Sequence, residues 1–499
     1  MIFSGFNRRK RIGLVSGPIL FAAVFLFLRP AGLSPEGIAV LAGTLWIATW
    51  WISEAIPIPA TSLLPIILFP LTGALSIADT TSSYGHKMVF LYMGGFMIAL
   101  AMEKWSLHKR IALTIIKLVG TNIRSIIFGF MVSTALLSMW ISNTATTMMM
   151  LPIALAVARQ FGEFFALEAG EKAKQEERKF GLALMLGIAY AASIGGMATL
   201  IGTPTNAIFS AVAKEYYNAE VSFSEWMKFG LPLSLLLLFI CWIYLTMVAF
   251  KPAFQRFAHV STTIQNELRR LGPVKKEERR IIIVFGLTAL AWITRSFVLN
   301  RIIPAIDDTI IAICGALILF VIPARDNDTI LDWTTARKLP WGILLLFGGG
   351  LAIAAGFSKT GLAAWIGNEI QYISGTQYIV ILLVVTTTVN FLTEITSNVA
   401  TASILLPIMA SISAALGFHP YGLMISSCLA ASCAFMLPVA TPPNAIVFSS
   451  GYIKISDMVK TGFWMNLISI LIIVIAMRYF LPLVWDIDLF SVPAGGLAP

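Results

Sequence analysis

Charge is what this sequence has least of. Only 12% of its 499 residues are charged, against 58% hydrophobic, about half the charged fraction of a soluble domain. That excludes the string of soluble domains which the length alone would suggest. Cysteine is scarce too. Cys241, Cys314, Cys428 and Cys433 all fall inside apolar runs without CxxC spacing, which excludes a disulfide framework and leaves them as small packing residues. The four histidines, His86, His108, His259 and His419, fall in loops or at helix ends, with no HExxH spacing, so no catalytic metal is expected. The start "MIFSGFNRRKRIGLVSGPILFAAVFLFL" is basic and then apolar, but no small-residue cleavage site follows. An uncleaved first helix is expected rather than a signal peptide. The net charge of +10 fits basic cytoplasmic loops better than a nucleic-acid partner.

What is present is apolar length. A helix crosses a bilayer with about 20 mostly apolar residues. Candidate runs lie at 13–28, 36–52, 55–72, 88–102, 182–200, 229–249, 281–297, 308–323, 341–357, 421–439 and 463–484. The expectation is an all-α integral membrane protein of the plasma (inner) membrane, with about 11 transmembrane helices. Lys and Arg gather in cytoplasmic loops. Arg8, Arg9, Lys10 and Arg11 therefore place the N-terminus inside, and so do the loops 159–180 and 251–280. The second loop is long, charged and amphipathic, and is expected to form a linker helix. The C-terminal "DIDLFSVPAGGLAP" has no basic residue and is expected outside. Trp50, Trp51, Trp333 and Trp341 read as interface anchors, and Glu54 as a helix-start residue. The stretch 111–158 is long enough for two helices, yet both of its flanks are basic. It is expected to enter and return on one side as a re-entrant hairpin, with Ser142-Asn143-Thr144 at the tip. Non-helical backbone at membrane depth is tolerated only inside protein or along a cavity.

The tip recurs. "ISNTATTMMMLPIA" (141–154) and "TSNVATASILLPIMA" (396–410) align at an offset of 255 residues. The same offset pairs Ser138 with Thr393, Pro152 with Pro407, Gly94-Gly95 with Gly349-Gly350, Ile98 with Ile353, Lys104 with Lys359 and Leu107 with Leu362. Downstream, "IGTPTNAIFS" (201–210) matches "VATPPNAIVFS" (439–449) at an offset of 238. Two motifs repeated in the same order indicate duplication. With the first hairpin entered from inside and the second from outside, the halves are inverted repeats, as in many secondary transporters.

Each half thus supplies a polar hairpin tip and a Gly/Pro-broken helix. Gly and Pro free backbone carbonyls and amides. Carbonyls, hydroxyls and amide oxygens suit Na⁺, and helix N-termini suit an anion. Lone polar triplets usually serve as glue between membrane helices; four breaks in duplicated order point instead to a site. No Lys or Arg lies within the motifs, which favours cation-coupled transport over an anion pore lined with basic residues. An intramembrane hydrolase is the rival class, but the spans offer its Ser and Thr no His or Asp partner. An enzyme is not expected. Glu394, three residues before the second tip, is either a proton carrier or a buried hydrogen-bond partner. Thr121, outside every motif, should tolerate replacement by Ala.

These paired motifs resemble the divalent anion/sodium symporter family, the sodium-coupled dicarboxylate and citrate transporters, over essentially the whole chain. The resemblance implies a homodimeric elevator with scaffold and transport domains. It implies N-terminal helices, mostly scaffold, at 1–87 and a first repeat core at 88–228. Scaffold and linker would follow at 229–340, a second repeat core at 341–461, and the last helix with an outward C-terminus at 462–499. A first Na⁺ would bind Ser138, Ser142, Asn143 and Gly202, and a second would bind Thr393, Thr396, Asn398 and Ala440. Substrate carboxylates would meet Ser142, Asn143, Thr144, Thr203 and Pro204 from one half, and Ser397, Asn398, Val399, Thr441 and Pro442 from the other. Val399 departs from the repeat: Thr144 stands at its partner position, so the two carboxylates are not expected to be held alike. The implied activity is symport of a C4-dicarboxylate (succinate, malate, fumarate) with at least two Na⁺. The alternatives are a Na⁺-independent dicarboxylate exchanger, or a citrate or sulfate transporter of the same family.

Overall fold

The computed structural model of the chain describes residues 8–120, 122–169, 171–251, 260–325, 328–370 and 377–490. Thr121, His259 and the start of the expected linker helix (252–259) lie outside them. Among the described residues all regular structure is helical, apart from one bridge between Pro323 and Thr329. Among the described residues eight helical segments are long and apolar enough to cross a membrane, and four more apolar helices are shorter.

The chain opens with α1 (Arg8–Phe27) packed on α2 (Pro35–Ser53). The apolar run at 55–72 then folds as two short pieces, Ile58–Thr61 and Leu64–Leu71. Pro57, Pro59, Pro65 and Pro70 remove the amides a continuous helix would need. After α3 (Lys87–Lys104) comes the amphipathic α4 (Leu107–Val119). The sequence placed α4 partly inside the first hairpin. Gly120, at φ 101°, ends α4, and the Asn122 side chain caps the next helix at Arg124 N (3.0 Å). The hairpin proper is therefore α5 (Ile123–Ser138) and α6 (Asn143–Ala169).

The expected loop at 159–180 is largely helical: α6 runs to Ala169, and α7 spans Glu171–Gly196. Its charges lie on good helix formers, Glu, Lys, Gln and Arg, so charge marked a membrane boundary but not a break in the helix. The chain continues through α8 (Pro204–Tyr217), α9 (Phe223–Ile243), α10 (Val260–Leu271), α11 (Lys276–Thr294) and α12 (Asp308–Val321). The second half has α13 (Trp341–Lys359), a hairpin of α14 (Tyr378–Thr393) and α15 (Asn398–Ala415), α16 (Pro420–Ser432), α17 (Pro442–Phe448) and α18 (Ile455–Ile475).

Polar contacts sort the helix ends into two groups. At one end Lys104 meets Asp328 and Asp332, Lys109 meets Glu267, and Arg110 meets Glu278. Arg325 meets Glu277, and Arg178 meets Asp457, at this same end. At the other end Lys87 meets Glu220 and Asp307, and Arg295 meets Asp308. Lys359 meets Asp79, and the Leu489 carbonyl accepts from His419 N, also at that end. Both outer ends of the first hairpin lie at the first, more basic end. Trp242 Nε1 donates to the Arg124 carbonyl, and Gln160 accepts from Thr263. Both outer ends of the second hairpin lie at the opposite end, where Tyr378 packs on Phe418 and Phe490.

The two hairpins therefore enter from opposite ends. The repeat partners Tyr92 and Phe347 touch, ring centroids 5.9 Å apart, so the centre of the duplication lies between α3 and α13. The broken helices occupy the core. Residues 182–201 of the first and 422–435 of the second are almost wholly buried, which explains why neither shows a polar face. The halves interlock, with α8 packing on α15 and α16, and α17 on α6 and α7.

Candidate substrate and ion site

The first tip is the four-residue turn between α5 and α6. Ser142 caps α6: its Oγ accepts from Ala145 N (3.2 Å) and its carbonyl from Thr146 N (3.0 Å). Behind the tip, Ser138 Oγ donates to Asn143 Oδ1 (2.6 Å). The second tip repeats this at the same offset. Thr393 Oγ1 donates to Asn398 Oδ1 (2.8 Å), and the Ser397 carbonyl accepts from Thr401 N (2.9 Å). Ser397 differs in one respect: its hydroxyl caps nothing.

The breaks are matched as well. Asn206 Nδ2 reaches back to the carbonyls of Gly196, Met197 and Thr199 (3.3, 3.3 and 2.7 Å). Asn444 Nδ2 reaches those of Ala434 and Leu437 (3.0 Å each). In each break the asparagine amide tethers the unwound backbone just ahead of the helix restart at Pro204 or Pro442.

All ten residues expected to meet substrate line one cavity of about 570 Å³. The first tip brings Ser142, Asn143 and Thr144, and the second brings Ser397, Asn398 and Val399. Thr203, Pro204, Thr441 and Pro442 come from the restarts. Gly202, Thr396 and Ala440 also line it, whereas Ser138 and Thr393 are fully buried behind the tips. The N-termini of α6, α8 and α15 all face this space, each worth about half a positive charge, and the short α17 begins there too.

The oxygens behind the first tip are crowded together. A Cβ on Gly196 would lie 2.9 Å from both Asn143 Oδ1 and the Gly202 carbonyl, so only glycine lets these two ligand-type oxygens approach. The hydroxyl of Thr146 is buried there without a partner. Its repeat partner Thr401 instead bonds Thr396 (2.6 Å). Carbonyl, amide and hydroxyl oxygens with no carboxylate form a donor set suited to a monovalent hard cation.

Sequence reasoning missed the rest of the lining. The margin of the cavity toward the basic end is lined by Arg9, Ile52, Glu54, Pro340 and Gly342. Arg9 donates to the Ile52 carbonyl. The motifs hold no basic residue, but the cavity margin does. Tyr92 Oη donates to the Leu200 and Thr203 carbonyls (2.7 and 2.5 Å) and so pins the first break to α3. Its place two residues before the duplicated Gly-Gly was the available signal.

The family model described as the sodium:sulfate symporter transmembrane region matches residues 9–486. The chain belongs to the sodium:sulfate symporter family. It is 46% identical over 488 residues to the sodium-dependent dicarboxylate transporter SdcS of Staphylococcus saprophyticus, covering 97% of this chain and 93% of that protein. It is 47% identical over 489 residues to SdcS of Staphylococcus aureus, covering 97% and 94%. Two solved structures share the fold. Neisseria gonorrhoeae MtrF, described within a class of antimetabolite efflux pumps, aligns with TM-score 0.54 at 12% identity over 97% of this chain and 96% of its own. The Alcanivorax borkumensis YdaH transporter aligns with TM-score 0.55 at 13% identity over 89% and 99%. Such identities speak of fold alone. As a member of a symporter family, the chain is a multi-pass membrane transporter and not an enzyme.

Three readings of single residues in this transporter change with the structure. Trp51 is no interface anchor: it is 1% exposed, and its Nε1 donates to the Ile58 carbonyl and Ser62 Oγ (3.3 Å each). Glu54 ends α2 rather than starting a helix, as a left-handed C-cap at φ 49°. Cys314 is exposed, while the other three cysteines are buried.

Glu394 stands as a buried hydrogen-bond partner. Its carboxylate accepts from Phe435 N, Met436 N and Leu437 N (2.8, 2.9 and 3.1 Å) and from Asn466 Nδ2 (2.8 Å). It holds the second break in place, and its repeat partner in the first tip is the uncharged Met139. Glu394→Ala leaves three backbone amides and the buried Asn466 side chain without their acceptor, so a loss of about 3 kcal/mol or more is expected, read as a lowered Tm. A variant that melts normally but loses only the pH dependence of uptake would make Glu394 a proton carrier instead.

Proposed function

We propose that this protein is a secondary active transporter that moves a C4-dicarboxylate such as succinate, malate or fumarate together with Na⁺. The observation that carries the reading is the pair of matched clusters, Ser138–Asn143 and Thr393–Asn398. They stand behind two tips on either side of a cavity faced by helix N-termini. A ligand with an anionic group at each end fits two half-sites, and an oxygen cluster behind each tip suits one Na⁺. The names of the two staphylococcal relatives support both substrate and ion.

With the basic end in the cytoplasm, the N-terminus lies inside and the C-terminus outside. The hairpins are then re-entrant from opposite faces, the halves are inverted repeats, and the cavity margin at Arg9 and Glu54 opens inward. The two repeat cores, 88–228 and 341–461, form the moving part of an elevator against the helices of 1–87 and 229–340. The last helix and tail (462–499) complete the chain, which works as a homodimer. The family resemblance supports both the elevator and the dimer.

Competition against labelled succinate uptake in proteoliposomes tests the substrate. Malate and fumarate should compete strongly and lactate at least about tenfold more weakly, because it leaves one half-site unpaired. Sulfate, a single anionic centre, should also be weak. Equal inhibition by lactate and succinate would count against two half-sites, and dominant inhibition by sulfate would favour that substrate. In the same assay Val399→Thr restores the hydroxyl of Thr144 to the second half-site and should shift the order among C4-dicarboxylates and citrate. An unchanged order means residue 399 does not read the ligand.

A further inference from the structure

A second cavity lies well away from the transport site, at the basic end. It measures about 870 Å³, within the range of roughly 300–1,000 Å³ typical of small-ligand sites. It opens between α9 and α18, over α7. The end of α9 passes into a π-helical stretch, Tyr244–Ala249, a feature often found at functional sites. Tyr244 Oη donates to the Thr461 carbonyl (3.1 Å) and ties the two walls together. The walls are mostly apolar, among them Ile243, Val248, Trp464 and Ile468. Val248 is 60% exposed and Trp464 54%. The rim is polar and basic, with Arg178, Lys179 and Lys460 around a single acid, Asp457. Arg178 pairs with Asp457 (2.9 Å) and Lys179 with Glu176 (2.7 Å). Among the described residues Lys460 forms no ion pair.

We propose that this groove binds an anionic phospholipid, with its phosphate at the basic rim and an acyl chain along the apolar walls. Two independent features point to a lipid. First, beside the groove walls α9 and α18 carry exposed apolar side chains, Phe239 next to Ile240 and Leu471 one turn beyond Ile468, which in a membrane transporter face acyl chains. Second, the cations sit only at the mouth, and Trp464 lies one turn inward from Lys460, the order of head group, interface and chain in a bilayer. A soluble anion would engage the rim and leave the walls to water. The proposal uses the membrane placement of the chain and is independent of the transported substrate.

The test is native mass spectrometry of the full-length, detergent-solubilised protein titrated with phosphatidylglycerol or phosphatidylcholine. Each cation that reaches the head group is worth roughly fivefold, so a preference of about fivefold to tenfold for phosphatidylglycerol is expected. Arg178→Gln with Lys460→Gln should abolish that preference. Lys338→Gln, an exposed cation outside the groove, should leave it intact. Lys460→Gln alone, at an exposed position, should reduce it and covers the case in which the double variant does not fold. Millimolar inorganic phosphate should not displace the lipid; displacement would assign the rim to a free anion and overturn the proposal. Equal retention of the two lipids would overturn it as well. Binding of neither lipid would do so too.

Discussion

Replacing Asn143 or Asn398 by Ala is expected to abolish succinate uptake while the protein stays folded. Each asparagine opens a helix at a tip, and its Oδ1 is held by the hydroxyl of Ser138 or Thr393. Removing the amide takes one oxygen from an ion cluster and one polar group from the cavity wall. Losing a hydrogen bond to a charged partner costs about 1.5–3 kcal/mol, and every 1.4 kcal/mol is about tenfold. With ion and substrate both weakened, uptake should fall roughly a hundredfold or more. The fold should tolerate the change, because Ala is the best helix former and Asn143 and Asn398 are only half-buried.

Asn206→Ala supplies the contrast. Asn206 is fully buried and holds three carbonyls of the first break, so its loss should lower Tm as well as uptake. Thr334→Ala, at an exposed position, should change neither. Uptake assays paired with melting curves separate these outcomes. Normal transport by Asn143→Ala would move the site elsewhere.

The parts of the site that the sequence revealed are those the duplication wrote twice. The Ser-Asn tips and the Thr-Pro restarts stand out because polar residues and Gly/Pro breaks are costly in a membrane core. Seeing both written twice, in the same order, separates function from helix glue. What stayed hidden was written once or looked ordinary. Arg9 reads as one of four N-terminal basic residues, and its place at the cavity margin depends on how α1 packs on α2. Trp51 and Tyr92 are aromatics in apolar runs, which periodicity cannot tell from anchors or core. Glu394 was visible as an intramembrane acid. Its role depends on three amides some forty residues later, freed by a break that has no counterpart acid in the first half. Counting spans by hydropathy also misjudged local structure. Proline divides the run at 55–72, and helix-forming charged residues carry α6 and α7 through what looked like a loop.

Uptake should depend steeply on Na⁺. A dicarboxylate brings two negative charges into a space whose walls, among the described residues, hold no basic side chain apart from Arg9 at the margin. Burying unpaired charge costs many kcal/mol. The N-termini of α6, α8 and α15 each supply only about half a charge, screened wherever water reaches them. Arg9 is exposed and already donates to the Ile52 carbonyl, so it can attract an anion to the entrance more readily than neutralise one at the tips. Bound cations are the remaining source, and the two Na⁺ sites proposed at the matched clusters behind the tips would hold them.

Two Na⁺ with one dianion make a neutral load; a third ion would make each cycle electrogenic. The clusters also lie directly beneath the helix starts that face the substrate. Filling them should set Asn143 and Asn398 before the dicarboxylate arrives, so Na⁺ binds first and uptake rises sigmoidally with external Na⁺. The measurement is labelled succinate uptake into proteoliposomes across a Na⁺ series, with choline as replacement and no dicarboxylate inside. A sigmoidal rise from a near-zero baseline is expected. Full uptake in choline would sink the symport reading, and uptake that appears only with internal dicarboxylate would make the protein an exchanger. Asn143→Ala and Asn398→Ala should each flatten the sigmoid of any residual uptake, because each leaves only one ion cluster intact.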